Sequence, residues 1–114
     1  MDIKEFYETI GGDYNAALLI MLNDDFITRM LDKFFEKNTY NDILSSYKNK
    51  DFEALFGYVH SFKGVVGNLG LIPLFEIADV ITEATRSLRE VNIDKDIDEL
   101  KNRYEFIEKT YKNV

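Results

Sequence analysis

The chain has 114 residues, carries a formal net charge of −7 and contains no cysteine. Its length suits one domain, residues 1–114, built around a single core, and the missing cysteines exclude disulfide bonds and thiolate metal sites. The acidity argues against nucleic acid as a partner, because binding to phosphates needs a basic surface.

Neither a membrane span nor a signal peptide is expected. The best apolar run, Ala16 to Leu22, is far shorter than the ~18 residues that cross a bilayer. Met1 to Ile10 carry alternating charges and show no apolar core of the kind that a signal peptide needs. We therefore expect a soluble, cytoplasmic protein with no membrane partner.

Helical periodicity dominates the first half of the chain after a short leading segment. Gly11 and Gly12 break the chain, and Asp13 is placed to cap a helix over Tyr14–Leu22. Asn23 and Asp24 offer a second cap. The helix that follows has apolar residues at spacings of three and four: Phe26, Ile27, Met30, Leu31, Phe34 and Phe35. Asn38 and Thr39 break or re-cap it, and a short helical piece continues through Ile43, Leu44 and Tyr47.

The second half contains three further predicted helices. Asp51 can cap a helix that carries the only histidine, His60, and that stops at Gly70. Pro73 suits the first turn of the next helix, whose predicted buried positions are Leu74, Ile77, Ala78, Ile81, Ala84, Thr85 and Leu88. Asn92 to Asp94 separate it from a last helix with Ile97, Leu100, Tyr104, Ile107 and Tyr111 inward.

Short connections between these helices imply antiparallel neighbours. The predicted fold is all-α: an antiparallel up-and-down four-helix bundle with an additional short N-terminal helical segment. One bundle core accounts for each apolar stripe, so we expect a monomer.

The residues around the histidine form the strongest functional pattern. His60, Lys63, Gly64 and Gly67 lie at i, i+3, i+4 and i+7 and so share one helix face. The apolar residues of this helix, Phe56 among them, point largely the other way. A glycine inside a helix costs about 1 kcal/mol relative to alanine. A helix that keeps two of them beside a histidine is interpreted as admitting another surface.

The neighbouring lysine suits phosphoryl chemistry. An ammonium beside the imidazole favours the uncharged, nucleophilic ring. After phosphorylation the same ammonium can pair with the phosphoryl oxygens. These are the requirements of a phosphoryl carrier rather than of a core histidine.

The motif His60-x-x-Lys63-Gly64, followed by Gly70, resembles the signature of histidine-containing phosphotransfer (HPt) domains. The resemblance continues in Gly11 to Tyr14, in Asn49 to Leu55, in Asn68 to Leu71, and at Leu74, Ala78 and Arg86. It implies a helical-bundle intermediate of a phosphorelay.

The resemblance also implies roles for individual residues. His60 would be the phosphoryl acceptor, Lys63 its electrostatic partner and Gly64 the gap that admits a receiver domain. Gly70 would end the helix, and Arg86, with Arg89 as a neighbouring candidate, would lie near the phosphoryl group. Gly57, Ser61, Gly67 and Asn68 are candidate docking positions. Met21 and Phe26 can belong to the interface, although a place in the core is favoured.

The function implied is a phosphorelay intermediate in two-component signal transduction. His60 would accept a phosphoryl group from a receiver-domain aspartate or a hybrid kinase and pass it to a response regulator. The partners would be a response-regulator receiver domain and a sensor or hybrid histidine kinase. We expect no cofactor or metal on this chain, since the magnesium ion belongs to the receiver. Without a nucleotide-binding motif, the chain would be a phosphoryl carrier and not an enzyme that uses ATP.

Other functions remain open. A di-metal carboxylate site is not supported, because it needs more than one histidine, and a general-base enzyme lacks an identifiable orienting acid. A docking module that binds a receiver or kinase domain without phosphorylation is an alternative. The phosphoacceptor domain of a chemotaxis-type histidine kinase is another, with a free-standing carrier favoured over it.

Overall fold

The protein is described by a computed structural model that covers residues 1–37 and 39–114. Every regular element in these residues is helical, which confirms the all-α class. The seven helices are α1 (Ile3–Ile10), α2 (Tyr14–Met21), α3 (Asp24–Glu36), α4 (Thr39–Lys48), α5 (Phe52–Asn68), α6 (Ile72–Thr85) and α7 (Asp94–Tyr111). The predicted break at Asn38 lies outside the described residues.

The predicted helix caps are confirmed. The side chains of Asp13, Asn23 and Asp51 each accept a hydrogen bond from the backbone N–H three residues later, at the starts of α2, α3 and α5. Such a bond satisfies one of the N–H groups that a helix leaves without a partner at its first turn. Local side-chain chemistry therefore sets the starts of these three helices.

The residues up to Ile10 include a short N-terminal helix, as predicted. These residues form α1, whose Ile3, Phe6, Tyr7 and Ile10 are all buried. Their spacing of three and four places them on one face, which packs against α7 and α2. Charged residues between them occupy the solvent side of α1, which makes it an amphipathic helix.

Leu88 is also placed differently from the prediction. Helix α6 ends at Thr85, and Leu88 lies beyond it with a positive φ of 61° and 46% of its surface exposed. The hydroxyl of Thr85 instead donates to the carbonyl of Ile81 inside the last turn. The stripe of buried residues on α6 therefore stops one turn earlier than its sequence period indicates.

Aromatic residues join α3 and α4 to α7. Tyr104 of α7 stacks on Tyr40 with ring centroids 3.7 Å apart, and Phe34 and Phe35 of α3 lie against the same ring. Aromatic pairs of this kind stabilise a core beyond the area they bury. This cluster lies beneath α5, since Phe34 also contacts Phe62 of that helix.

The end of α5 is packed against the start of α2. Gly70 adopts a left-handed φ of 65° and its carbonyl accepts a hydrogen bond from the N–H of Asp13 at 2.9 Å. The Tyr7 hydroxyl donates to the carbonyl of Leu69 at 2.6 Å within the core. The helix carrying the histidine is thus fixed at its C-terminal end by α1 and by the segment before α2.

Candidate functional site

Helix α5 carries two glycines that face open space. A Cβ placed on Gly57 or Gly64 would meet no atom within 4 Å. The two residues lie three positions before and four positions after His60, so they flank it on one face of the helix. His60 is itself exposed. The imidazole therefore lies on a helix surface from which neighbouring side chains are missing on both sides.

The imidazole rests on an aromatic ring of its own helix. The rings of Phe56 and His60 are nearly parallel, with an interplanar angle of 9° and centroids 5.5 Å apart. Phe56 was expected to point away from the histidine, but it is only half-buried. The stacking limits the directions in which the imidazole points, because residues four apart are neighbours on a helix.

Helices α5 and α6 run antiparallel, and their contacts define the surroundings of the histidine. Lys63 contacts Asp79, while Phe56 near the start of α5 lies under Arg86 at the end of α6. Positions along α5 are thus matched by positions taken in reverse order along α6. The turn at Gly70 thus places Asp79 beside Lys63, and Arg86 beside the Phe56 ring that stacks on His60.

Lys63 is held by a partner that the sequence analysis did not name. Its Nζ lies 2.7 Å from Oδ1 of Asp79 and 5.7 Å from the centroid of the Phe75 ring. The lysine side chain is 25% exposed, and that of Asp79 48%. Asp79 offsets the ammonium charge that was expected to act on the imidazole alone.

Arg86 lies directly after the last residue of α6 and is also paired. Its guanidinium donates to both carboxylate oxygens of Glu83, at 2.7 and 3.2 Å, and sits 5.6 Å from the centroid of the Phe56 ring. This pairing holds the pKa of the Glu83 carboxyl below its usual range and raises the pKa of Arg86. Arg86 is therefore linked to His60 through the ring that both residues contact. The alternative, Arg89, is exposed and makes no ion pair with any described residue.

Gly67 is small for a different reason from the one predicted. A Cβ on Gly67 would lie 3.2 Å from the ring of Phe75. The glycine thus allows α6 to approach α5 closely, and it does not open the surface to a partner as Gly64 does. The predicted shared face divides into an open part at Gly64 and a packed part at Gly67.

Ser61 and Asn68 lie beside a groove next to the histidine. The groove has a volume of about 260 Å³ and runs between α5, the end of α2, and α3 and α4. Its apolar lining includes Met21, Met30, Phe34, Phe62 and Val65. Among the described residues that line it, two are lysines, Lys33 and Lys37, and none is acidic.

The two ambiguous apolar residues of the sequence analysis take different positions. Met21 lines the groove and packs against the core. Phe26 is half-buried and lies under the Arg29 guanidinium, 5.3 Å away, outside the core cluster. Leu22, next to Met21, is 80% exposed. An apolar surface therefore continues from the groove onto the end of α2.

Two further properties concern the residues that the structure describes. None of their helices is long and apolar enough to cross a membrane. They also contain no cluster of three or more histidine, aspartate or glutamate side chains suited to a metal ion.

Comparison with protein-family models identifies the chain. The model of the Hpt domain matches residues 24–109. The protein belongs to the Hpt domain family. The match includes the helix with His60 and the antiparallel helix beside it, and Hpt domains are histidine phosphotransfer modules of phosphorelays that act with receiver domains and histidine kinases. Searches of curated proteins and of solved structures give no match.

Sequence reasoning missed Asp79 and Phe75 because it treated each helix separately. With the turn centred on Leu71, residues equally distant from it on the two helices face each other. Lys63 and Asp79 each lie eight positions from Leu71, and Gly67 and Phe75 each lie four. Folding the two predicted helices about the turn would have shown both pairs.

Proposed function

We propose that this Hpt domain is a phosphorelay intermediate that carries a phosphoryl group on His60. The group would come from the phosphorylated aspartate of a receiver domain or from a hybrid kinase, and would pass to a response regulator. The observation that carries the proposal is the exposed imidazole between Gly57 and Gly64, with open space above both glycines. An incoming aspartyl phosphate needs this access, since transfer requires the reacting atoms in line.

The transfer is mainly a matter of position and charge. An imidazole nitrogen attacks phosphorus, and the transition state is loose with charge spread over the phosphoryl oxygens. Lys63 and Arg86 are the two cations of α5 and α6 on this side of the histidine. We assign Lys63 to the phosphoryl oxygens and Arg86 to a supporting role through Phe56. The magnesium ion of the reaction is assigned to the receiver, and this chain needs no cofactor.

The docking surface is proposed to be the groove and the open face of α5. Ser61 and Asn68 line both, and Gly64 lets the partner backbone come close to the helix. Lys33 and Lys37 give the groove a positive lining in an acidic chain, which favours an acidic partner surface. Gly67 remains a predicted binding position, although its packing against Phe75 favours a structural role.

We propose that the fold is a four-helix bundle in which α3 and α4 together form one member. Helices α5, α6 and α7 are the other three. Helix α1 would be the additional N-terminal segment that covers α7 and the end of α5. We further propose that the protein acts in the cytoplasm as a monomer. It would work as a carrier without ATP-using activity of its own.

The test is transfer from receiver domains charged with labelled phosphate to the wild type and to His60→Gln. Label that appears on the wild type alone, and that is lost in acid but retained in base, would establish His60 as the acceptor. Circular dichroism checks that His60→Gln is folded. A receiver that binds both proteins equally but labels neither would instead support the docking module.

A further inference from the structure

Both cations beside His60 are already occupied by carboxylates of α6, but the two pairs differ. Glu83 and Arg86 lie one turn apart on the same helix, and more than half of each side chain is exposed. Lys63 and Asp79 instead join α5 to α6, and the lysine is three-quarters covered. The second pair therefore controls where the cation closest in sequence to His60 is held.

The position of Lys63 is set by two contacts on the α6 side. Asp79 accepts its ammonium at 2.7 Å, and the Phe75 ring lies beside the same group. An ammonium on a flexible stem follows the strongest nearby anion. In the unphosphorylated protein that anion is Asp79.

We infer that Asp79 is a positioning residue for phosphoryl transfer, which holds Lys63 on α6 until a phosphoryl group arrives. This inference rests on the proposed role of His60. A phosphoryl group carries more charge than a carboxylate and offers three acceptor oxygens, so it competes for the ammonium. Asp79, left without its partner, also repels the new anion.

The chemical step is balanced without any further reagent. The lone pair of one imidazole nitrogen of His60 forms the bond to phosphorus, while the other nitrogen keeps its proton. The bond between phosphorus and the donor aspartate oxygen breaks, and its electron pair leaves with that carboxylate. Lys63 exchanges one anionic partner for another, so its own charge does not change.

The exchange of anionic partners by Lys63 affects the direction in which the phosphoryl group is transferred. Part of the attraction between Lys63 and the phosphoryl group is offset by loss of the contact with Asp79. Lys63 therefore stabilises the phosphoryl group on His60 less than it would if Asp79 did not compete for it. This weaker stabilisation favours onward transfer. A neutral residue at position 79 removes the competing carboxylate. The phosphoryl group should then be retained longer on His60.

The experiment measures the initial rate at which potassium phosphoramidate labels His60, with His60→Gln as the blank. This small anionic donor loses ammonia as the imidazole attacks, and it needs no receiver. We expect Asp79→Asn to react about threefold faster, the size that follows from a partly exposed ion pair. Asp79→Glu, which keeps the charge, should stay near the wild-type rate. Glu76→Gln is the matched control, since Glu76 is exposed on α6 and makes no ion pair with a described residue.

A double substitution separates the action through Lys63 from simple charge repulsion. In a Lys63→Gln background, Asp79→Asn should keep only the smaller acceleration that comes from removing a repelling carboxylate, because the part that acts through the lysine is lost. An acceleration as large there as in the wild-type background, or equal rates for Asp79→Asn and Glu76→Gln, would overturn the inference. Both of those results leave the proposed function intact, whereas a wild type that takes no more label than His60→Gln would contradict both.

Discussion

Glycines serve opposite purposes in two regions of this molecule. At the junction of α1, α2 and α5, a Cβ on Gly12 would lie 2.8 Å from the Tyr7 ring, and one on Gly70 would overlap the carbonyl oxygen of Asp13. On the exposed face of α5, a Cβ on Gly57 or Gly64 would meet nothing. The junction glycines are required by packing, while those beside His60 weaken the helix and contribute nothing to the core.

The two regions also differ in what holds them together. The junction is fixed by neutral groups, such as the Tyr7 hydroxyl that donates to the Leu69 carbonyl, within the buried core. The surface beside His60 is held by ion pairs that remain partly open to solvent. Substitutions should therefore change stability at the junction and function at the face.

The largest effect is expected from Gly70→Ala. Its φ of 65° is unfavourable for alanine and its added methyl group has no room, so the free energy of unfolding should fall by about 3 kcal/mol. Urea denaturation followed by circular dichroism measures it. If the free energy of unfolding falls no more than it does for a surface substitution to alanine, the junction rearranges easily.

Alkaline pH should destabilise the tyrosine-rich core next. Burial raises the pKa of Tyr104 and of Tyr40 to about 12, and raises that of Tyr7 above its usual range. The unfolded chain loses these protons near pH 10 and the folded chain holds them, so stability is complete below pH 10 and falls as the pH rises toward 12. In this range the free energy of unfolding should fall by about 1 kcal/mol per pH unit for each buried tyrosine.

Urea titrations at pH 8 and pH 11 test this dependence. Tyr7→Phe removes one titrating group and should have a shallower slope than the wild type, despite losing the hydrogen bond to Leu69. A slope unchanged by this substitution would show that Tyr7 ionises equally in both states.

Gly64→Ala should separate stability from function. The methyl group meets no described atom, so stability should rise by up to ~1 kcal/mol through helix propensity. The same methyl group would crowd a docked receiver at a cost of ~1–3 kcal/mol, and transfer should slow by about tenfold. Asn102→Ala, on the exposed side of α7, is the control that gains helix propensity without touching the face. Equal transfer by the two variants would mean that the partner does not approach Gly64.

The smallest effect on folding is expected from Arg86→Ala. The arginine and its partner Glu83 are exposed, and surface pairs contribute little to stability. The urea midpoint should therefore stay at the wild-type value. Glu83→Gln, which breaks the same pair from the other side, should behave alike, and a clear shift in either variant would show that the contact with Phe56 supports the fold.

Much of the helical architecture was accessible from sequence because its signals are local. The caps at Asp13, Asn23 and Asp51 and the left-handed turn at Gly70 depend on residues within one turn of them. The exposure of His60 beside Gly64 followed from helical period alone. Local periodicity was misleading where neighbours decide burial, as at Leu88.

The sequence by itself determined an all-helical Hpt domain with one histidine on a helix face where glycines leave no neighbouring side chains. Only the tertiary structure decided that Lys63 is already paired there. Lys63 has no carboxylate at helical spacing in α5 and finds Asp79 on α6, whereas Arg86 pairs with Glu83 three residues earlier, a spacing visible in the sequence. The physical reason is that helical spacing fixes neighbours within a helix, whereas ion pairs between helices depend on how the turn at Gly70 aligns two of them.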